Sequence, residues 1–167
     1  MIYVSDQVFM DYMAWKGKEK FLVFLNQPKW TLEDNLKNKK QKKLSFRDLI
    51  YLSLQKTLHL YGVKEEQLTT LKKSFYQEKQ DDTQEDTESM FTSEVAIGCV
   101  FMGIEIILCC TLSGEATFYD PTNFALLRNP NIGSFIFVSL ASLINECLIE
   151  IKKDPIELTV SMQNLLG

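Results

Sequence analysis

The sequence lacks the groups that most enzymes and metal sites require. It contains a single histidine, His59, no Cys-x-x-Cys pair and no glycine-rich phosphate-binding loop. A zinc site needs several cysteine or histidine ligands at loop-forming spacings, and nucleophilic catalysis needs a base beside the nucleophile. Neither pattern is present, so we expect a non-enzymatic protein with no cofactor and no metal.

Disulfide and membrane signals are also missing. The four cysteines all lie in strongly apolar stretches, where free cysteine packs as a small hydrophobic residue: Cys99, Cys109, Cys110 and Cys147. The N-terminus has no basic region followed by an apolar core, so it does not resemble a signal peptide. The apolar run 95–112 contains Glu105 and two glycines, which favours buried strands over a membrane span. We therefore expect a cytoplasmic protein that does not enter a membrane.

The charge is distributed very unevenly, although the net charge is only −4. Residues 1–76 carry 14 Lys and Arg against 8 Asp and Glu, which gives +6, whereas 77–91 and 92–167 each sum to −5. A basic first part beside an acidic remainder predicts an anionic partner for the first part alone.

The apolar spacing predicts an α+β protein with three parts. Residues 1–76 are predicted to form a helical, winged-helix-like domain, with two short helices between 8 and 25, separated at 16–19, and further helices over 46–61 and 64–76. Residues 77–91 carry mostly acidic and polar side chains and are predicted to be a linker. Residues 92–167 are predicted to form a small regulatory or association domain, a sheet with one covering helix. Its predicted elements are strands over 94–101, 104–110, 115–119 and 135–138, and a helix over 140–151.

The candidate binding site is a lysine-rich segment directly before a helix start. Five of its seven residues are lysines: Lys37, Lys39, Lys40, Lys42 and Lys43. Lysines spread over the tip of a hairpin can neutralise phosphates and release counterions. The predicted DNA-contacting set also includes Ser45, a helix cap with Asp48 in a Ser-x-x-Asp pattern, and Arg47 beside it.

The stretch 42–71 resembles the wing and following helices of MerR-like regulators. That family shows a basic residue, then Ser/Thr-x-x-Asp-Leu, an apolar helix, a Leu-x-x-x-Gly-Val turn and a further helix. Here Lys42 or Lys43 stands at the basic position, Ser45 and Asp48 at the cap, and Gly62 in the turn.

The resemblance implies a DNA-binding transcriptional regulator that acts as a homodimer on double-stranded DNA. It also implies a C-terminal half that senses an effector, of unknown identity, or associates. The alternative is a protein–protein adaptor whose basic hairpin binds an acidic partner.

Overall fold

A computed structural model of the chain describes residues 5–30, 43–76, 92–121 and 135–151. Within these ranges it contains six helices and one three-stranded antiparallel sheet, so the predicted α+β class is confirmed. The first four helices, in chain order, are α1 (Asp6–Ala14), α2 (Lys18–Asn26), α3 (Phe46–Leu60) and α4 (Glu65–Phe75).

The second part of the chain holds the sheet and two helices. Its elements, in chain order, are α5 (Ser93–Phe101), β1 (Ile107–Thr111), β2 (Ala116–Tyr119), β3 (Phe135–Ser139) and α6 (Leu140–Glu150).

Local sequence signals explain where the N-terminal helices begin and end. The Ser5 hydroxyl caps α1 by accepting from the Val8 N–H, and Pro28 follows α2. The chain leaves α3 through Gly62, whose φ of +84° is a left-handed conformation that glycine adopts readily. The predicted boundaries of these helices are therefore confirmed to within two or three residues.

The sheet has the order β2-β1-β3, with β1 in the centre. Leu108 of β1 pairs with Phe118 on one side and with Val138 on the other, and all three side chains are buried. These residues share one face of the sheet because side chains on paired strands alternate together between faces. That face is packed into the hydrophobic core.

The core is continuous across the predicted linker. Helix α3 packs against α6, and α1 and α2 both pack against α5. One cluster of buried apolar side chains extends from Val8 to Leu148. Residues 77–91, the predicted linker, lie outside the described residues, but the helices on its two sides share one core. Experiments on binding are therefore best made on the whole chain.

The prediction of a strand over 94–101 is wrong, because these residues belong to α5. Thr92 caps this helix, its hydroxyl accepting from the Val95 N–H. Six of its nine residues are buried, on all sides of the helix, so no polar face marks a helical period. The abundance of β-branched residues then suggests a strand instead. Among its described residues, the second part of the chain therefore has two helices, whereas one was predicted, and the strand predicted from 104 begins only at Ile107.

The contact between α1 and α5 requires a glycine at position 98. A Cβ atom built on Gly98 would overlap the ring of Tyr12, which is itself buried. The absence of a side chain therefore allows the two helices to approach closely.

We expect Gly98→Ala to destabilise the protein by up to about 2 kcal/mol, although alanine is the better helix former. Overpacking in a core costs about 1–3 kcal/mol, which outweighs the gain of about 1 kcal/mol in helix propensity. Urea unfolding of both proteins measures the difference. In a Tyr12→Leu background, which lacks the ring, the same substitution should be neutral or stabilising; an equal cost in both backgrounds would contradict this explanation.

Candidate nucleic-acid interface

A β-bridge between Trp30 and Leu44 joins the residues on either side of 31–43, the stretch that contains the lysine-rich segment. The N–H groups of Lys29 and Trp30 both donate to the Leu44 carbonyl at 3.0 Å, and the Leu44 N–H donates to the Trp30 carbonyl at 2.7 Å. The chain therefore leaves the described fold at Trp30 and re-enters it beside the same residue. We call this bridge the hairpin base; the hairpin predicted between its two residues lies outside the described residues, apart from Lys43.

Aromatic packing fixes this base to the core. The Trp30 ring lies 5.7 Å from Phe24 and 5.8 Å from Phe46, measured between ring centroids. Phe46 is fully buried and Leu44 is buried, whereas Trp30 is partly exposed. The hairpin base is thus attached to both α2 and α3.

A capping box then starts α3 directly after the bridge. The Ser45 hydroxyl accepts from the Asp48 N–H at 3.1 Å, and the Asp48 carboxylate accepts from the Ser45 N–H at 2.9 Å. The Tyr76 hydroxyl donates to the other oxygen of Asp48 at 2.6 Å. The predicted cap is confirmed. The Ser45 hydroxyl, which is also predicted to contact DNA, therefore accepts a hydrogen bond within the cap.

Most of the predicted lysines lie outside the described residues. This applies to Lys37, Lys39, Lys40 and Lys42, whereas Lys43 is described and exposed. Lys29, which the sequence reasoning missed, is also exposed, and its Nζ lies 5.9 Å from the centroid of the Trp30 ring. The sequence marks Lys29 as a candidate only by its position next to Trp30.

Arg47 was predicted to contact DNA, but it lies in the interior, with only 9% of the residue exposed. Its Nε donates to the Ser93 hydroxyl at 3.0 Å, and its Nη2 donates to the Phe75 carbonyl at 3.2 Å. Its Nη1 forms an ion pair with Glu94 at 3.1 Å. These contacts join α3 to the end of α4 and the start of α5, so the guanidinium serves the fold.

The Arg47 cluster also contains an aromatic ring. The guanidinium carbon lies 4.9 Å from the centroid of the Tyr76 ring, a cation–π distance. Burial raises the pKa of the Tyr76 hydroxyl well above its ordinary value, and the hydrogen bond to Asp48 raises the pKa further. Tyr76 therefore remains a neutral donor and connects the Arg47 cluster to the cap at Asp48.

The four cysteines are buried and free, as the sequence predicts. Burial raises the pKa of the thiols of Cys99, Cys110 and Cys147 to about 12, and that of Cys109 to about 11. A thiol reacts as its thiolate, so these groups are inert at neutral pH. Their role is packing.

No group of three or more His, Cys, Asp or Glu side chains is arranged to hold a metal ion within the described ranges. Across the same residues, no helix has the length and apolar character needed to cross a bilayer. Comparisons with known protein families, with curated proteins and with solved structures found no match to this chain.

Proposed function

We propose that this protein binds double-stranded DNA through the lysines of segment 37–43 and acts as a non-enzymatic transcriptional regulator of the MerR-like type. The observation that supports the proposal most is the Trp30–Leu44 bridge, because it holds together, against the core, the two points of the chain between which the lysines lie in sequence. Cations close together in one segment act together on a phosphate backbone, since each neutralised phosphate releases counterions. Lys29 and Lys43 extend the positive charge to the hairpin base.

The partner and assembly follow from the same proposal. The binding partner is duplex DNA, contacted at phosphates, and the resemblance to MerR-like regulators favours a homodimer. Sequence readout would require an exposed helix beside the hairpin, and α2, which ends at Asn26 shortly before Trp30, is a candidate. Its residues Glu19, Lys20, Val23 and Asn26 are exposed.

A second candidate function is an adaptor that binds an acidic protein. The interior position of Arg47 favours the adaptor function, because the remaining cations of the predicted binding site are all lysines. Arginine recognises phosphate through a planar fork of donors, whereas a lysine acts as a point charge that also suits carboxylates. The two candidates differ in which polyanion binds more tightly at the same salt concentration.

Charge reversal on the hairpin tests both candidates. We expect Lys39→Glu/Lys40→Glu to weaken binding of the whole chain to a 25-base-pair duplex at 50 mM salt. The loss should be about a hundredfold or more, the counterion-release value for two phosphate contacts. Fluorescence anisotropy with a labelled duplex measures the affinity.

The matched control is Lys72→Glu/Lys73→Glu, on the exposed end of α4. It also replaces two adjacent lysines and changes the net charge equally, but it lies away from the hairpin in sequence. We expect the affinity of the control variant for the duplex to fall by less than about threefold, a loss due to long-range repulsion. Equal losses in the two variants would refute the hairpin site, and tighter binding of polyglutamate than of duplex would favour the adaptor.

A further inference from the structure

One carboxylate of the second part of the chain, that of Glu94, binds the helix ends on both sides of the hairpin base. Its Oε1 atom accepts from the Asn26 Nδ2 at 2.8 Å and from the Arg47 Nη1 at 3.1 Å. The Arg47 Nη1 also donates to the Asn26 Oδ1 at 3.5 Å. The three side chains thus contact one another pairwise, and we call them the Glu94 triangle.

Each corner of the Glu94 triangle belongs to a different helix. Asn26 is the last residue of α2, Arg47 is the second residue of α3, and Glu94 is the second residue of α5. The chain runs from the end of α2 to Trp30 in four residues, and from Leu44 to the start of α3 in two. The triangle therefore joins the two helix ends between which the hairpin base lies.

Aromatic packing connects these two helices to the bridge. The rings of Phe24 on α2 and Phe46 on α3 lie 5.1 Å apart, measured between centroids, and the Trp30 ring contacts both. Because protein interiors are close-packed, a shift of α2 relative to α3 changes the surface against which Trp30 packs. The position of the bridge therefore depends on the relative position of the two helices.

The surroundings of Glu94 strengthen its contacts. Both side chains of the Arg47–Glu94 ion pair are mostly buried, so water competes weakly for them. Hydrogen bonds that involve a charged group are also stronger than neutral ones. Loss of the carboxylate would leave the Arg47 guanidinium without its counter-charge and would remove the hydrogen bond from Asn26 to α5.

We propose that Glu94 is a positioning residue for duplex binding, because it holds the hairpin base in place through Asn26 and Arg47. The second part of the chain thereby sets the affinity of the lysine-rich segment, although the charge of Glu94 is of the wrong sign to contact a phosphate. The effect on duplex affinity rests on the proposed function, whereas the effect on the hairpin base does not.

Two substitutions that change the net charge equally separate positioning from charge. Glu94→Gln retains an oxygen that can accept from Asn26 and Arg47, whereas Glu94→Ala does not. Both remove one negative charge, so long-range electrostatics alone predicts the same slightly tighter duplex binding by the two variants.

Fluorescence anisotropy of the whole chain with the 25-base-pair duplex at 50 mM salt measures the difference. We expect Glu94→Gln to bind at least as tightly as the unmodified protein, and Glu94→Ala to bind about fivefold or more weakly, a typical size for coupling between sites. Equal affinities of the two variants would overturn the proposal.

Hydrogen exchange of the whole chain reports on the hairpin base without DNA. The N–H groups of Trp30 and Leu44 donate across the bridge, and the amides of the central strand β1 report on the stability of the whole fold. We expect Glu94→Ala, but not Glu94→Gln, to speed exchange at Trp30 and Leu44 by about tenfold or more relative to β1. Unchanged exchange at the bridge, or an equal increase at the bridge and in β1, would overturn the proposal.

Failure of the proposed function gives a different result. If the unmodified protein binds no duplex, the proposed function is refuted, and exchange at Trp30 and Leu44 alone decides whether Glu94 holds the hairpin base. If Glu94→Ala does not fold, Asn26→Ala removes another corner of the triangle and should speed exchange at the same two amides. Unchanged exchange in that variant would overturn the proposal as well.

Discussion

Replacing Arg47 by methionine should lower the free energy of unfolding by about 3 kcal/mol or more, because removing one partner of a buried ion pair leaves the other uncompensated. Methionine keeps much of the side-chain volume but removes every hydrogen bond of the guanidinium. The Phe75 carbonyl and the Ser93 hydroxyl would each lose a hydrogen-bond donor inside the core. Glu94 would lose its ion-pair partner at a site where only 27% of its side chain is exposed.

The matched control is the ion pair between Lys56 and Glu150. Its Nζ–Oε1 distance of 2.8 Å is shorter than the 3.1 Å of the Arg47–Glu94 pair, but its side chains are 64% and 40% exposed. Solvent screening reduces such a pair to about 0–1 kcal/mol, so Lys56→Met should have little effect. Urea unfolding of both variants measures their free energies of unfolding. Similar losses of free energy in the two would contradict the structural role assigned to Arg47. The stability of Arg47→Lys should lie between those of the unmodified protein and Arg47→Met, because an ammonium group retains the charge but lacks the fork of donors.

The second large effect expected is a loss of stability above pH 9, which should end in unfolding of the protein. Burial raises the pKa of all four thiols from their ordinary value of 9.0, and it raises the pKa of the Tyr51 hydroxyl from 10.0 to about 12. The pKa values of Tyr12, Tyr76 and Tyr119 are raised for the same main reason.

The sign follows from where the protons bind. Above pH 9 the unfolded chain releases thiol protons that the native state retains, so stability is fully present below pH 9 and falls as the pH rises towards 11 and 12. Each such group contributes a slope of up to about 1.4 kcal/mol per pH unit. Four thiols together could thus remove about 5 kcal/mol per pH unit, which is comparable with the total stability of an ordinary domain.

The measurement is the free energy of unfolding in urea from pH 7 to pH 11, with reductant present. A curve that is flat to about pH 9 and then falls steeply is the expected result. Thiol reagent at pH 8 supplies an independent check, because four thiols should react at once in urea and slowly without it. Fast reaction of the native protein, or undiminished stability at pH 11, would contradict the burial of these groups.

Local signals in the sequence were sufficient for much of the N-terminal part. Ser45 and Asp48 form a cap within four residues, and Gly62 ends a helix by its own conformation, so both can be recognised without the rest of the chain. The bridge between Trp30 and Leu44, which are 14 residues apart, was not predicted, and the predicted hairpin between them lies outside the described residues, apart from Lys43.

Two features could not be read from the sequence because they depend on distant residues. Helix α5 is buried on all sides, so its apolar residues show no helical period. Arg47 appears in the sequence as one more cation beside the lysines, but its partners are 28 residues away at Phe75 and 46 and 47 residues away at Ser93 and Glu94. Only the packing of α3, α4 and α5 against one another determines that it points inward.

The dependence of duplex binding on salt tests the proposed function most directly. If the five lysines of segment 37–43 each neutralise one phosphate, the logarithm of the affinity of the whole chain should fall against the logarithm of salt with a slope of about −4.5. Between 50 and 200 mM salt this slope corresponds to a loss of about 500-fold. Lys39→Glu/Lys40→Glu should flatten the slope by about 2, and Lys72→Glu/Lys73→Glu should leave it unchanged. No duplex binding at 50 mM salt, or a slope near zero, would contradict DNA binding through this hairpin.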